Sequence, residues 1–139
     1  MDPEQMKERG VVFNRRLKGI LKNYKLEFNK VSNIIPGAVF ANIELEEDEI
    51  VEGILYDISE ADILKLDQFE KFPDHYEKIW VDIYLNNSTL EKAIAYIAHL
   101  DMVKNGLKPS REYIDHLLKG CDCLSEDYCN KLRSIKTFD

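Results

Sequence analysis

Residues 50–76 read IVEGILYDISEADILKLDQFEKFPDHY, and this stretch decides the fold class. Ile50 to Ile58 is the most buried-looking strand of the chain, with Gly53 marking a bulge or a close backbone approach. Ser59 followed by Asp62 resembles a capping box with a short acidic partner. Ile63, Leu64, Leu66 and Phe69 then keep helical spacing, which predicts a short helix over Glu60 to Phe69 lying against the sheet. That helix runs out at Glu70-Lys71-Phe72-Pro73, and the next strand begins near Tyr76. A strand feeding a helix that returns to a strand sets a mixed architecture.

The flanks extend the pattern. Upstream, Tyr24, Leu26 and Phe28 alternate with Lys25 and Glu27 inside a strand predicted from Leu17 to Phe28. Pro36-Gly37 is a turn signal leading into a second strand, Ala38 to Ile43. Glu44 to Glu49, five acidic residues in six, reads as a solvated hairpin tip rather than a metal site. Asp2 before Pro3 is the N-cap and first-turn arrangement of a short leading helix. Downstream, Ile79 to Leu85 and Leu90 to His99 form a hairpin across Asn86-Asn87. Ser110 caps a helix to about Gly120, and Ser125 caps a last one to about Ile135. The order predicts one α+β domain over residues 1–139, a small, strongly curved mixed sheet or barrel with helices packed outside.

With 139 residues, the chain suits a single core. Nineteen Lys and Arg against 26 Asp and Glu leave a net charge of −7. That balance argues against nucleic acid and against a membrane surface, both of which need excess positive charge. No apolar run approaches the ~20 residues of a membrane helix. Cys121, Cys123 and Cys129 lie within nine residues of one another, an odd number in one place. They read as free thiols at a helix junction, with no fourth zinc ligand at the right spacing, and predict a reducing, cytoplasmic setting.

Phosphate-binding, dinucleotide, serine-hydrolase and zinc-protease signatures are missing. His75, His99 and His116 stand apart without a neighbouring nucleophile and read as surface or packing residues. Lys71, Lys78 and Arg111 are able to attract an anionic substrate, or are plain solubilising charges. Glu70 is different. It falls where the helix ends, among Phe69, Phe72 and Tyr76, where partial burial raises a carboxyl toward neutrality as a general acid/base requires. The competing reading is a solvated glutamate at a helix end.

Leu66-Asp67-x-x-Glu70, Tyr76 six residues on, and Pro109-Ser110-x-x-Tyr113 resemble the γ-glutamylcyclotransferase family, including the γ-glutamylamine cyclotransferases and AIG2-like proteins. Ala41-Asn42-Ile43, Glu52-Gly53-Ile54-Leu55-Tyr56 and Leu124-x-x-x-Tyr128 fit the same order, so the likeness covers nearly the whole chain. The resemblance implies a small mixed barrel that needs no cofactor and no metal and releases 5-oxoproline from a small γ-glutamyl compound. It implies Glu70 as the acid/base. Tyr76 and Tyr113 become pocket-lining hydrogen-bond donors, or alternatively core aromatics with hydroxyls reaching solvent. The family's opening strand, ending in Tyr-Gly-Ser-Asn, has no counterpart here, whereas Met1 to Arg9 resembles the family's next segment. The expectation is therefore a chain that begins just after that motif, through a start codon placed too far downstream, truncation or natural loss. Arg9 is then the candidate substitute for binding the substrate's carboxylate. An uncovered strand edge fits a monomer or a homodimer. The alternative function is a non-catalytic small-molecule-binding or regulatory domain of the same fold.

Overall fold

The computed structural model describes residues 2–85 and 89–139. Asp2 caps α1 (Pro3–Glu8), its carboxylate accepting the Glu4 and Gln5 amides at 2.9 and 3.4 Å. Two long strands come next, β1 (Phe13–Val31) and β2 (Val39–Ile58), paired antiparallel along their length. The reversal between them is built by Ser32, whose hydroxyl accepts the Ile34 and Ile35 amides, and by Gly37 at φ +82°. Only glycine takes that backbone conformation without a steric penalty.

The acidic run is not a hairpin tip. The strands expected at 38–43 and 50–58 merge into one continuous β2, which begins at Val39, with Ala38 just outside it in an isolated bridge to Lys108. Lys22 pairs with Ile50 and Tyr24 with Leu45, so residues 46–49 bulge out opposite Asn23. Asn23 and Asp48 both have positive φ, and the Asp48 amide donates to Asn23 Oδ1 at 3.2 Å. Asparagine and aspartate tolerate that region best among non-glycine residues, and the exposed carboxylates keep their water.

α2 (Glu60–Phe69) begins at Ser59, whose hydroxyl accepts the Asp62 amide at 3.2 Å. The Asp62 carboxylate does not return the bond; it takes the Val12 amide at 2.9 Å and fixes the chain after α1. Leu64, expected against the sheet, is 64% exposed. β3 (Tyr76–Tyr84) and β4 (Leu90–Ala98) complete an antiparallel sheet in the order β2-β1-β3-β4. The expected Asn86-Asn87 turn lies outside the described residues. A Cβ on Gly19 would stand 2.4 Å from Ile83 Cγ2. The close backbone approach is therefore at Gly19, where β1 meets β3, and Gly53 opposite it faces open space. The sheet curls until the Ala98 amide of β4 donates to Asn42 Oδ1 of β2 at 2.9 Å.

Leu21, Val81 and Ala93 form the core on one part of the sheet. α3 (Arg111–Leu118) and α4 (Glu126–Arg133) close another part, where Leu124, Tyr128, Cys129 and Leu132 pack against Leu26, Phe28 and Ile54. Within 50–58 the residue buried most deeply is a carboxylate, Glu52, not one of the apolar positions. Its oxygens accept the Ser125 amide at 2.9 Å and the Ser125 hydroxyl at 2.7 Å, with Lys18 at 3.5 Å.

The cysteine reading is corrected. Cys121 and Cys129 form a disulfide with Cα atoms 5.9 Å apart, leaving Cys123 as the free thiol among the described residues. The turn from Gly120 folds back on α4, and Ser125 starts that helix so that Cys129, one turn in, meets Cys121. The thiols therefore give no ground for a reducing compartment. No helix among the described residues is long and apolar enough to cross a membrane.

Candidate active site

Glu70 is positioned by how α2 stops. It is the C-cap, and Lys71 after it takes the left-handed conformation at φ 54°. The Lys71 amide bonds the Gln68 carbonyl at 3.3 Å, and the Phe72 amide bonds the Asp67 carbonyl at 2.8 Å. This is a Schellman arrangement with lysine in the place usually held by glycine. A β-carbon in that conformation costs roughly 1–2 kcal/mol, so the turn holding Glu70 is strained at one residue.

The structure brings four sequence-predicted residues to one place. Arg9 Nη1 lies 3.7 Å from Glu70 Oε1, and its guanidinium covers the Phe69 ring at 5.0 Å. The Glu70 side chain keeps 30% exposure, so it is partly buried yet still reached by solvent. Desolvation pushes its carboxyl above the ordinary value; Arg9 and Lys30 oppose that without cancelling it. Tyr76 and Tyr113 bracket one residue of β2: the Tyr76 hydroxyl donates to the Ala41 carbonyl at 3.1 Å, and the Ala41 amide donates to the Tyr113 hydroxyl at 3.0 Å. Tyr76 thus has its proton engaged, while among the described residues nothing accepts from the Tyr113 O–H. Burial raises both phenols, Tyr113 to about 12, with the Glu70 charge adding to the rise, so both stay protonated at neutral pH.

Each tyrosine is held from behind. Ser110 caps α3 by accepting the Tyr113 amide at 3.1 Å, and the Phe40 and Phe28 rings flank Tyr113 at 5.1 and 6.4 Å. Beside Ala41, Asn42 joins Asn29 at 3.2 Å, and Asn29 bonds Glu44 and Asn105. Asn29 and Asn42 are almost fully buried with their amides satisfied, which fixes the segment that carries Ala41.

Three contributors carry no clear sequence signal. Lys30 is 4% exposed, with Nζ 2.7 Å from His75 Nδ1 and over the Tyr76 and Phe40 rings. His75, expected as a surface or packing residue, accepts from that ammonium; its pKa is lowered by desolvation and by Lys30 and Lys71. Tyr96 donates to Asp67 Oδ1 at 2.6 Å and stacks edge-on to Tyr76. A lysine on a strand flanked by Asn29 and Val31 gives no hint of burial. Of the other cations, Lys71 reaches Asn33 at 2.9 Å beside the site, Lys78 is paired with Asp67 at 2.7 Å, and Arg111 lies with the C-terminal residues. Clefts of about 420 Å³ beside Asn105 and about 340 Å³ between β2 and β4 lie elsewhere, and Glu70 lines neither.

The family model of the AIG2-like family matches residues 50–132, the span from Glu52 through Glu70 and Tyr113 to α4. The chain belongs to the AIG2-like family. Among solved structures, an uncharacterized protein from Homo sapiens superposes with a TM-score of 0.86 at 20% identity, over 99% of this chain and 83% of that one. A γ-glutamyl cyclotransferase superposes at 0.85 with 19% identity and the same coverage. YkqA from Bacillus subtilis gives 0.78 at 19% identity, over 98% of this chain and 52% of its own. At such identities these likenesses establish the fold, the γ-glutamyl cyclotransferase-like one expected from sequence. No curated protein matches the sequence.

Proposed function

We propose that this AIG2-like chain is a γ-glutamylcyclotransferase-like enzyme that releases 5-oxoproline and an amine from a small γ-glutamyl compound, with Glu70 as general acid/base. The observation that carries this reading is a partly buried carboxyl 3.7 Å from Arg9 and beside Tyr76 and Tyr113, pushed up by its desolvation. In the reaction, Glu70 accepts a proton from the α-ammonium of the γ-glutamyl unit. The freed amine attacks the γ-carbonyl carbon, the ring C–N bond forms, and the carbonyl π electrons move to oxygen. As they return, the bond to the leaving nitrogen breaks and Glu70 delivers its proton there; the second proton of the ring nitrogen, made acidic by ring closure, then passes through Glu70 to the departing amine, which leaves as an ammonium. Atoms and charge balance with Glu70 restored.

Because nucleophile and electrophile belong to one molecule, the enzyme's work is to hold the folded conformer and to move protons. A raised carboxyl near an ammonium is better matched for both transfers than one at its ordinary value. Arg9, engaged with Glu70 at 3.7 Å, favours its ionised form between turnovers. Tyr113 offers its uncommitted O–H to the substrate, and Tyr76, through Ala41, holds the wall in place.

The test is 5-oxoproline release from a panel of γ-glutamyl amino acids and γ-glutamyl amines. Release by the native chain, reduced ~10²–10⁴-fold in Glu70→Gln, is the expected result. Ligand binding by a folded chain that turns over no member of the panel would favour the binding-domain reading.

A further inference from the structure

Lys30 is not used by the proton transfers above, and its setting needs a reason. It lies in β1, only 4% exposed, and among the described residues no carboxylate comes within ion-pair distance of its ammonium. An ammonium has three N–H donors. One goes to His75 Nδ1 at 2.7 Å; beyond that the charge lies over the faces of Tyr76 and Phe40, with ring centroids 5.4 and 5.6 Å away, and feels Glu70 from further off. Two aromatic faces and a neutral imidazole replace only part of the hydration that burial removes. With Lys30 as an ammonium, His75 accepts at Nδ1, which puts the ring proton on Nε2 and adds no charge.

The nearby charges are already engaged or lie further off. Arg9 is engaged with Glu70, Lys71 beside Lys30 reaches the amide oxygen of Asn33, and Asp74 and Asp101 act on His75 without pairing with Lys30. Lys30 and Glu70 lie near enough that each moves the other's proton affinity. A buried cation with spare donors and, among the described residues, no carboxylate in ion-pair contact has the chemistry of an anion seat.

We propose that Lys30 is the carboxylate anchor of this site: its ammonium, seated on Tyr76 and Phe40 and steadied by His75, binds a carboxylate of the small ligand that Glu70 faces. That the ligand is a γ-glutamyl compound rests on the proposed function; that it carries a carboxylate does not. A cation kept for ligand is a liability to the empty fold, whereas a cation kept for structure supports it, and this separates the two roles.

The experiment titrates the full chain with 5-oxoproline and with its uncharged amide, monitoring the His75 ring signals by NMR, and repeats the titration with acetate. The native chain should prefer 5-oxoproline to the amide by tenfold or more. Lys30→Met should lose that preference and the response to acetate while melting no lower than the native chain, Lys30→Arg should keep a carboxylate preference, and Glu70→Gln should keep it in full. If 5-oxoproline neither forms nor binds but acetate still gives a response that Lys30→Met abolishes, the function proposed above fails and the anchor stands. A carboxylate preference that persists in Lys30→Met overturns the anchor. So does a drop of several degrees in its melting temperature, or the absence of any Lys30-dependent response to either carboxylate.

Discussion

Glu52 and Glu70 sit eighteen residues apart on adjoining elements, both largely withdrawn from water, and the protein treats them in opposite ways. Around Glu52, burial alone would raise the carboxyl, but the Ser125 amide, the Ser125 hydroxyl and Lys18 outweigh it and hold the group below its ordinary value. Around Glu70, burial dominates, and Arg9 at 3.7 Å is too distant to reverse it. The same residue type is thus a structural strut where donors saturate it and, under the proposed function, a proton carrier where they do not. A candidate catalytic carboxylate is distinguished by incomplete satisfaction where solvent still reaches it, not by burial itself.

The contrast breaks most visibly in paired substitutions. Glu52→Ala removes two hydrogen bonds and an ion pair from the start of α4 and should cost about 3 kcal/mol, read from denaturant unfolding. Glu52→Gln should be intermediate and should leave 5-oxoproline formation per folded molecule intact. A Glu52 variant that kept full stability would show that the α4 cap carries no weight in the fold.

The two groups also predict opposite pH trends. Glu52, held low, adds stability that is present above its ordinary value near pH 4.5 and is lost as pH falls through the folded value. Glu70, held high, binds its proton more tightly folded than unfolded, so its contribution is favourable in acid and is lost as pH rises from about 4.5 through the folded value. Glu70→Gln, which mimics the protonated form, should therefore melt higher than the native chain at pH 7, with the gain vanishing below pH 4.5. Melting curves across roughly pH 3.5–8 check this, and a loss of stability at pH 7 would mean that the Arg9 ion pair outweighs the desolvation.

The smallest effect lies in the turn beneath Glu70. Lys71→Gly relieves the left-handed strain at φ 54° and should stabilise by about 1 kcal/mol. If that gain comes with reduced turnover, the strained turn contributes to aiming Glu70; if turnover is unchanged, the Schellman bonds alone suffice.

Only one side of this contrast is legible in the sequence. Glu70 stands out because a helix ends there among Phe69, Phe72 and Tyr76, and local signals such as Ser59, Ser110 and Ser125 mark element starts that the structure keeps. Glu52 is hidden in an apolar strand, since its partner Ser125 is 73 residues away. Lys30 is hidden for the same reason, its partners Phe40, His75 and Tyr76 being assembled by the curl of the sheet. The acidic bulge passes for a turn because five carboxylates in six look like one, and only the register with β1 places them beside Asn23. The disulfide escapes a sequence reading because thiol spacing does not reveal that the Gly120 turn folds back on α4.

The decisive measurement is a ¹³C NMR titration of the Glu70 and Glu52 side-chain carboxyls in the native chain, assigned with Glu70→Gln and Glu52→Gln. Glu70 should titrate above 4.5 and Glu52 below it. Glu70 titrating at or below 4.5 would contradict the role given to it, because the site would then hold an ordinary surface carboxylate and no poised proton carrier.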